Sequence, residues 1–592
     1  MKPLLWILST LICLGATLQG QTYNRISNRS AALIDSTYLS LMKEADATGL
    51  SLAIVDNGEI VYSQGYGYAD IEKAIPATDR SVYRIGSATK TFSALAVMQL
   101  VESGELELDT PVQALIPEWT PVNYSRLGKI PELKQVLSHT AGFPADLLNG
   151  FFADKPPKTD WTIRTLSRGY HPLDPNQIFL YSNVAYGLLE EVIERKSGLT
   201  YESFLRRHIF QPLGMSSTWV LEPVNDSARV AQGYLKGRIA HEPLIRDVSA
   251  GLIHSNVLDM SNFMLMLLDS GSFEQSNLLT RGSLSLMQTD HLTNLSQASD
   301  RSYGYGFQIS HYNYLAQDSL GPAAIHVYGH GGNTLAYHCD YRVIPELGVG
   351  VVLLTNSDRG RRLTKATRLM KLFLELEKGG QMDLKNPPKR SREHKSRSVG
   401  EELIGHYSTL LGYLKITNPS KFKTWQGPAK IVFKLQEDST YAARARLLGL
   451  IPIKVRDQVF GFESDSSHTF FTVLFPSTGN SQTLGIKIKQ QDIPQTWLER
   501  TGKYKVSSGI FGTPEEFPFQ LQHSEATLKD KNGFLVFTLK TPSKEFNGSY
   551  VMSVISDSLL VNEAYARDTG HSVSVDPDGN LFFSGMTFQK TK

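Results

Sequence analysis

Apolar residues between positions 30 and 380 follow both strand and helix patterns. Residues 51–62 (SLAIVDNGEIVY) hold two apolar stretches around Asp-Asn-Gly, which predicts a β-hairpin because Asn-Gly tolerates the positive φ of a tight turn. Apolar residues recur at helical spacing after Ser87 and over residues 361–378, and residues 347–354 form the apolar run of a buried strand. This mixture predicts an α+β domain in which helices surround a mostly antiparallel sheet.

Residues 400–592 show a different pattern, in which short apolar–polar alternations are separated by Gly, Pro, Asn and Asp. Such alternation is typical of an all-β region. A faint internal repeat favours two units, because Gly405-His-Tyr407 and Gly502-Lys-Tyr504 each open a run of predicted strands. We therefore expect two β-rich domains, at residues 400–500 and 501–592, built as one or two small barrels.

The first 20 residues have the pattern of a secretory signal peptide. A basic start at Lys2 precedes an apolar run from Leu4 to Leu18, and small or polar residues follow around Gly20. The run is short for a membrane span, so we expect cleavage near Gly20 and export to the periplasm or the cell exterior. An uncleaved N-terminal membrane anchor is the alternative.

The composition excludes several classes of protein. The 592 residues are 41% hydrophobic with a formal net charge of +2, so the chain is globular and offers no general electrostatic case for nucleic acid. It has 2 cysteines, Cys13 and Cys339, and the first leaves with the predicted signal peptide. A disulfide scaffold and a cysteine-rich zinc site are therefore excluded.

A basic, proline-containing run separates the two regions. Residues 381–399 include the sequence KNPPKRSREHKSR, which predicts a solvated linker. A contact with the anionic surface of a cell wall or a membrane is the other interpretation.

Three short motifs of the first region carry candidate chemistry: Ser87-Ala-Thr-Lys90, Tyr181-Ser-Asn183 and His330-Gly-Gly332. Ser-x-x-Lys alone means little, and it occurs again at residues 40–43 and 420–423. Ser87 differs because it opens a predicted helix, which places Lys90 one turn away on the same face. A serine hydroxyl attacks an acyl carbon when a neighbour takes its proton, and a lysine does so when burial or nearby positive charge lowers its pKa.

One segment resembles the nucleophile region of the serine β-lactamase-related family: residues 83–112 (YRIGSATKTFSALAVMQLVESGELELDTPV). That family spans class C β-lactamases, low-molecular-weight penicillin-binding proteins, D-aminopeptidases and certain esterases. The similarity continues, in the family's order, through residues 137–142 (LSHTAG), 181–215, 250–256 (AGLIHSN), 303–307 (YGYGF) and 329–332 (GHGG). For residues 30–380 the resemblance implies a β-lactamase-like catalytic domain that needs neither a metal nor another cofactor.

The resemblance also assigns roles to the three motifs. By it, Ser87 is the acylated nucleophile, Lys90 activates Ser87, and Tyr181 shuttles protons between Lys90 and the leaving group. The resemblance also implies that the substrate is bound by Asn183, His330, Gly331 and Gly332. It further implies an oxyanion hole formed by the backbone N–H groups of Ser87 and Asn333. Whether Lys90 or Tyr181 is the general base stays open.

The third motif departs from the form that carboxylate-binding members of the family usually have. Those members have Lys-Thr-Gly or Lys-Ser-Gly there, whereas this chain has His330, whose usual pKa is about 6.5, and Gly331, which has no hydroxyl. Recognition of an anionic terminus is therefore weakened. His-x-Gly is similar to D-aminopeptidases and esterases, so the resemblance implies a secreted serine hydrolase acting on a small peptide, amide or ester.

Two other functions stay open. A β-lactamase or DD-peptidase would use the same nucleophile on β-lactams or cell-wall peptides. A catalytically idle binding protein would use the fold for recognition alone, although a binder has no need of Ser87, Lys90 and Tyr181 together. Outside these motifs, we expect His139 to be structural and Cys339 to be a strand thiol rather than a nucleophile.

Overall fold

A computed structural model describes residues 23–591, apart from these internal residues: 122–127, 169–173, 222–229, 294, 296–300, 318, 320, 385–395, 410–411, 427–428, 448–450, 454–457, 465–468, 476–479, 510–520, 543–546 and 563–570. The predicted signal peptide and much of the predicted basic linker lie outside the described residues.

An antiparallel sheet forms the centre of the first region. Its described strands, in spatial order, are Ser302–Tyr303, Gln308–Leu315, Ala323–Asn333, His338–Ile344, Val349–Thr355, Gly49–Asp56, Glu59–Asp70 and Ile75–Pro76, with Gln381–Asp383 beside Gln308–Leu315. The predicted hairpin is confirmed, and both Asn57 (φ 48°) and Gly58 (φ 84°) have positive φ in its turn. Short two-stranded ladders surround the sheet: Tyr83–Arg84 with His254–Ser255, Phe152–Ala153 with Leu244–Ile245, Tyr234–Leu235 with Arg238–Ile239, and Ser272–Phe273 with Ser276–Asn277.

Helices cover both faces of this sheet because its central strands are apolar on both sides. Leu50, Leu52 and Ile54 face one core, which the helices Asn28–Ala45 and Ala366–Glu377 close. The intervening Ala53 and Val55 face a larger core. Its described helices are Thr89–Glu102, Val112–Leu115, Leu133–Leu137, Thr159–Ser167, Asn183–Ser197, Tyr201–Leu205, Val248–Gly251, Val257–Leu268 and Arg281–Met287. The predicted α+β architecture is confirmed.

The second region is all-β, as predicted. Its first described sheet runs in the order Gly412–Ile416, Gly405–Thr409, Asn480–Ile488, Thr469–Phe475, Val459–Ser464, Tyr441–Leu447, Ala429–Leu435 and Lys421–Gln426, with Ser396–Arg397 and Ile451–Ile453 at its side. After the helix Gln495–Glu499, a closed barrel follows: Gly502–Ser508, Glu525–Asp530, Leu535–Lys540, Gly548–Ser556, Leu559–Asn562, Ser572–Val575, Leu581–Phe583 and Met586–Lys590. Aromatic and aliphatic side chains fill both interiors.

The repeat noticed in the sequence corresponds to a repeated structural feature. Tyr407 and Tyr504 are both buried, and each donates its hydroxyl to the backbone carbonyl four residues before it, at Leu403 and Arg500. A Cβ on Gly405 would lie 2.6 Å from Lys487 Cε, and a Cβ on Gly502 would lie 2.8 Å from Lys590 Cε. The two β-units therefore begin with the same local construction.

Two predicted elements start later than the apolar pattern suggested. The strand begins at Val349 because residues Pro345–Leu347 form a 3₁₀ turn that ends at Gly348, with φ 64°. The last helix begins at Ala366 because Asp358–Arg362 forms another 3₁₀ turn. In the part of the chain that the structure describes, no helix combines the length and the apolar character that a membrane crossing needs.

Candidate active site

Ser87 lies in a 3₁₀ turn, Gly86–Ala88, that runs directly into the helix Thr89–Glu102. The sequence predicted a helix with one apolar face, but its side chains are buried on nearly every side, because it runs through the larger core. Small residues such as Ser93 and Ala94 allow this close packing. The turn carries Ser87 at the end of a rigid element, as a nucleophile requires.

Lys90 contacts three oxygen atoms from three different elements. Its Nζ lies 3.3 Å from Ser87 Oγ, 2.7 Å from Asn183 Oδ1 and 2.7 Å from the carbonyl oxygen of Ala250. The whole residue is 0% exposed. When Lys90 is deprotonated, its two N–H groups can donate to Asn183 and Ala250 and leave the lone pair for the Ser87 hydroxyl. This geometry is what a general base for Ser87 needs.

The structure brings the second motif to the same place. Lys90 Nζ lies 4.8 Å from the centre of the Tyr181 ring, and Tyr181 is half-buried at the site. Ser182 caps the helix Asn183–Ser197, accepting from Ala185 N and donating to the carbonyl of Pro144. The cap fixes the first helical residue, so that the Asn183 amide can accept from Lys90.

The end of the strand Ala323–Asn333 packs against the nucleophile turn. A Cβ on Gly332 would lie 1.7 Å from the carbonyl oxygen of Ile85 and 3.0 Å from Ser87 N, so only glycine fits. A Cβ on Gly86, whose φ is 53°, would lie 2.8 Å from Asn333 N. The backbones of Ser87 and Asn333 therefore lie side by side, as two donors to one oxyanion must.

His330 and Gly331 lie elsewhere on that strand. The His330 ring is buried, donates from Nδ1 to the carbonyl of Gly331 and accepts from the Tyr303 hydroxyl (2.6 and 3.0 Å). A Cβ on Gly331 would point to the opposite face from that of Gly332, 3.7 Å from Asp340 Oδ1. Neither residue of the predicted motif is among the described residues that line the cavity beside Ser87.

Polar and apolar residues line that cavity. The polar ones are Ser87, Asp146, Asn183, Asn333 and Thr334. The apolar lining consists of Leu148, Phe151, Phe152, Ile245 and Leu335. No lysine, arginine or histidine is among the described lining residues. A serine beside a buried lysine, two adjacent backbone donors and a small cavity together suit acyl transfer.

A comparison with protein families decides the identity of this arrangement. The family model described as Beta-lactamase matches residues 34–375, which is more than half of the chain. The chain belongs to the β-lactamase family. This family consists generally of serine hydrolases, and the match spans all three motifs.

Individual relatives of this β-lactamase-family chain are distant. Protein flp of Staphylococcus aureus (strain N315) is 29% identical over 211 residues, which cover 36% of this chain and 42% of flp. The chain thus spans less than half the length of this curated relative. Among solved structures, an octameric penicillin-binding protein homologue from Pyrococcus abyssi has a TM-score of 0.52 at 24% identity, over 77% of this chain and 100% of its own. SurE with D-Leu has a TM-score of 0.55 at 21% identity, over 78% and 100%. These structures share the fold.

Two further components of the site were not predicted from the sequence. The first is the Ala250 carbonyl, since a backbone acceptor has no side-chain signature. The second is Asp146, whose Oδ1 accepts from Asn183 Nδ2 at 2.6 Å and whose carboxylate lines the cavity. Asp146 follows the LSHTAG segment by four residues, which is the one signal that placed it near the site.

Both β-units contact loops of the site. Ile178 and Leu180, directly before Tyr181, pack against Phe470 and Ile486 of the first β-unit. The loop that carries Asp146 binds the last hairpin turn of the chain, where Leu148 N donates to Ser584 Oγ at 2.7 Å. Asn149 Nδ2 donates to the carbonyl of Gly585 at 2.6 Å. The β-region of this β-lactamase-family chain therefore packs against the segment before Tyr181 and against the loop that carries Asp146.

Two other titratable side chains, His139 and Cys339, are buried in the body of the fold. His139 is buried and its Nδ1 accepts from Ser182 N at 3.1 Å, which agrees with the structural role expected for it. Cys339 is a buried, free thiol on a strand, and burial raises its pKa. Within the described residues, no group of three or more His, Cys, Asp or Glu side chains is placed to hold a metal ion.

We expect His330 to make the stability of the protein depend on pH. Burial, and then the nearby Lys90, lowers the pKa of His330 to about 3, whereas a histidine in an unfolded chain titrates at about 6.5. As pH falls from 6.5 towards 3, the unfolded state therefore takes up a proton that the folded state refuses. Neutral His330 thus lowers the free energy of unfolding by about 2 kcal/mol between pH 7.5 and pH 5.

Urea unfolding of the wild type and of His330→Gln at both pH values checks this expectation. The variant lacks this titrating ring. The difference in free energy of unfolding between variant and wild type should therefore shift in favour of the variant by about 2 kcal/mol when the pH is lowered from 7.5 to 5. The same difference between the two proteins at both pH values would contradict a neutral, buried His330.

Proposed function

We propose that the protein is a hydrolase that forms an acyl-enzyme on Ser87 and acts on a small peptide, amide or ester. Attack by Ser87 Oγ on the carbonyl carbon passes the hydroxyl proton to Lys90, and that proton moves by way of Tyr181 to the leaving group as its bond to the carbon breaks. Water then attacks the acyl carbon and gives a proton, by way of Lys90 and Tyr181, to Ser87 Oγ as the acyl–oxygen bond breaks and the acid is released. The backbone N–H groups of Ser87 and Asn333 hold the oxyanion in both steps.

The main support for this proposal is the 3.3 Å contact between Lys90 Nζ and Ser87 Oγ. Lys90 is fully buried, and its amine also contacts Asn183. A lysine that is buried only to fill space in the core would not need a serine hydroxyl beside its amine. The same network argues against the idle binding protein, because recognition does not require a desolvated base beside a hydroxyl.

A second candidate is a β-lactamase or DD-peptidase. The substrates of such enzymes carry a carboxylate that a fixed cation usually holds. The described lining of the cavity contains Asp146 and no basic side chain. The low pKa of His330 also keeps that ring neutral, and its nitrogens are engaged with Tyr303 and Gly331. These observations favour a neutral or cationic substrate.

Acyl-enzyme trapping tests the proposal. The purified protein is incubated separately with p-nitrophenyl acetate, D-alanine p-nitroanilide and a chromogenic cephalosporin, and each reaction is quenched in acid. The protein is then digested, and the masses of its peptides are measured by mass spectrometry. We expect turnover of the ester or the anilide and a mass increase on Ser87, with neither in the Ser87→Ala control. If the wild type turns over none of the three and Ser87 stays unmodified, the proposal fails. Preferential turnover of the cephalosporin would favour the second candidate.

We also propose that residues 1–20 direct export, on the sequence pattern described above. The N-terminal sequence of the protein recovered from the periplasm or medium tests this: a chain starting near Gln21 supports cleavage, and one starting at Met1 supports the anchor.

A further inference from the structure

The segment that carries Tyr181 is hydrogen-bonded along its length to a neighbouring loop, residues 139–145 (HTAGFPA). Four of these hydrogen bonds run from Leu180 N to the carbonyl of His139 (2.8 Å), from Ser182 N to His139 Nδ1 (3.1 Å), from Ser182 Oγ to the carbonyl of Pro144 (2.6 Å) and from Asn183 N to the carbonyl of Ala145 (2.8 Å). His139 supplies two of the four acceptors. Because Leu180 and Ser182 flank Tyr181, this one residue holds the backbone on both sides of it.

His139 also contacts the Tyr181 side chain. The centres of the two rings lie 4.3 Å apart. The same Tyr181 ring lies 4.8 Å from Lys90 Nζ, so it belongs to the group of side chains around the nucleophile. His139 is 1% exposed, and its own ring is therefore fixed by close packing. A residue that binds the backbone on both sides of Tyr181 and packs on its ring determines where the phenol lies.

The conformation and the environment of His139 are both unfavourable for a histidine. Its backbone is in the left-handed region, with φ 58°, which costs free energy for a residue with a Cβ. Burial, and then the nearby Lys90, lowers the pKa of His139 well below its usual value, so the ring is neutral near pH 7. With Nδ1 accepting from Ser182 N, the ring proton is on Nε2.

That second nitrogen is a further cost. His139 Nε2 is buried, and no described group lies within hydrogen-bond distance of it. A buried donor without an acceptor destabilises the folded state. Residues with such strain are retained where the surrounding structure requires them, and they cluster at functional sites. Filling the core would not require a histidine with an unsatisfied nitrogen, whereas accepting from Ser182 N requires a side-chain acceptor at the position of Nδ1.

We propose that His139 is a positioning residue for Tyr181, which it holds where the phenol can pass a proton to the leaving group. This role rests on the acyl-enzyme function proposed above. Its effect depends on how much the leaving group needs that proton. A p-nitrophenolate is a weak base and departs as the anion, whereas an unsubstituted phenolate, whose conjugate acid has a pKa of about 10, departs more easily when it is protonated.

Two esters with the same acyl group, p-nitrophenyl acetate and phenyl acetate, measure this effect. In His139→Phe the ring is kept and the acceptor is lost. We expect kcat/KM for phenyl acetate to fall by about thirtyfold and that for p-nitrophenyl acetate by about threefold, which changes their ratio by about tenfold. In His139→Asn, Oδ1 is bonded to the same carbon position as Nδ1, and asparagine tolerates a positive φ. This variant should keep the ratio within about threefold of wild type.

The ratio of the two esters separates positioning from support of the fold, with kinetics measured well below each melting temperature. Equal losses for both esters in His139→Phe, or no loss for either, would overturn the proposal. A shift in His139→Asn as large as that in His139→Phe would also overturn it, because the acceptor is then not the group that positions Tyr181.

The contact itself is tested on the wild type, which does not depend on how the variants fold. In protein labelled with ¹⁵N at histidine, Nδ1 of His139 should stay unprotonated from pH 8 to pH 5, its signal being assigned by its absence from the His139→Asn spectrum. A protonated Nδ1 near pH 7 would overturn the proposal, since it cannot accept from Ser182 N.

Labelling of wild-type Ser87 by p-nitrophenyl acetate tests the acyl-enzyme function by itself. With labelling and an unchanged ester ratio in His139→Phe, only the role of His139 fails. Without labelling, both proposals fail.

Discussion

Replacing Lys90 with alanine is expected to slow the acylation of Ser87 by about a thousandfold, the effect typical of removing a general base. Lys90 Nζ is the group that contacts the Ser87 hydroxyl, and it is shielded from water. Without it, the proton of Ser87 has no basic acceptor in the described contacts of that hydroxyl, and a water that enters the vacated space is a far weaker base than an amine. Rapid-quench mass spectrometry of Ser87 with p-nitrophenyl acetate gives the acylation rate.

Two controls keep this result interpretable. Lys90→Ala also leaves the Asn183 and Ala250 acceptors without their donor, so Lys90→Met, which fills the volume, should show the same loss of acylation with better packing. Lys43→Ala removes the lysine of the surface Ser-x-x-Lys sequence at 40–43, and we expect its rate to stay within about twofold of wild type. Acylation of either Lys90 variant at the wild-type rate would make Tyr181 the base.

Local patterns sufficed where a residue's environment follows from its neighbours in sequence. The Asn57-Gly58 turn was predictable because few residues accept two consecutive positive φ angles. The turn from Ser87 to Lys90 was predictable because helical spacing brings the two side chains together. The grouping of Tyr181 and Asn183 with them came from the resemblance to a family, since no local pattern connects residues about ninety positions apart.

Long-range geometry explains what the sequence did not predict. His330 occupies the position of a substrate-binding residue in the motif, yet its ring turns into the core to reach Tyr303 and leaves the cavity wall to other residues. Asp146 reaches the site through a loop whose shape depends on Arg246 and on the C-terminal barrel. Such contacts join parts of the chain up to 436 residues apart, a separation across which no sequence periodicity operates.

Gly332→Ala is expected to lower kcat/KM by about a hundredfold to a thousandfold, the usual cost of losing one oxyanion donor. The added methyl group would lie 1.7 Å from the carbonyl oxygen of Ile85, so the strand and the nucleophile turn must move apart. Both partners are backbone, which yields less readily than a side chain. Separation moves the Asn333 N–H away from that of Ser87, and the oxyanion then keeps one donor instead of two. Steady-state kinetics on the best substrate measures the loss in kcat/KM.

The adjacent glycine supplies the matched control, because the same methyl group points to the other face of the strand. A Cβ on Gly331 meets nothing closer than 3.7 Å, which is ordinary van der Waals contact. Gly331→Ala should therefore keep kcat/KM within about threefold of wild type and unfold at nearly the same temperature. Gly332→Ala should also unfold earlier, since overpacking costs about 1–3 kcal/mol, so its kinetics are measured well below its melting temperature. Wild-type kcat/KM in folded Gly332→Ala would show that the Asn333 N–H does not serve the oxyanion, and equal losses in both variants would show that the strand acts through stability alone.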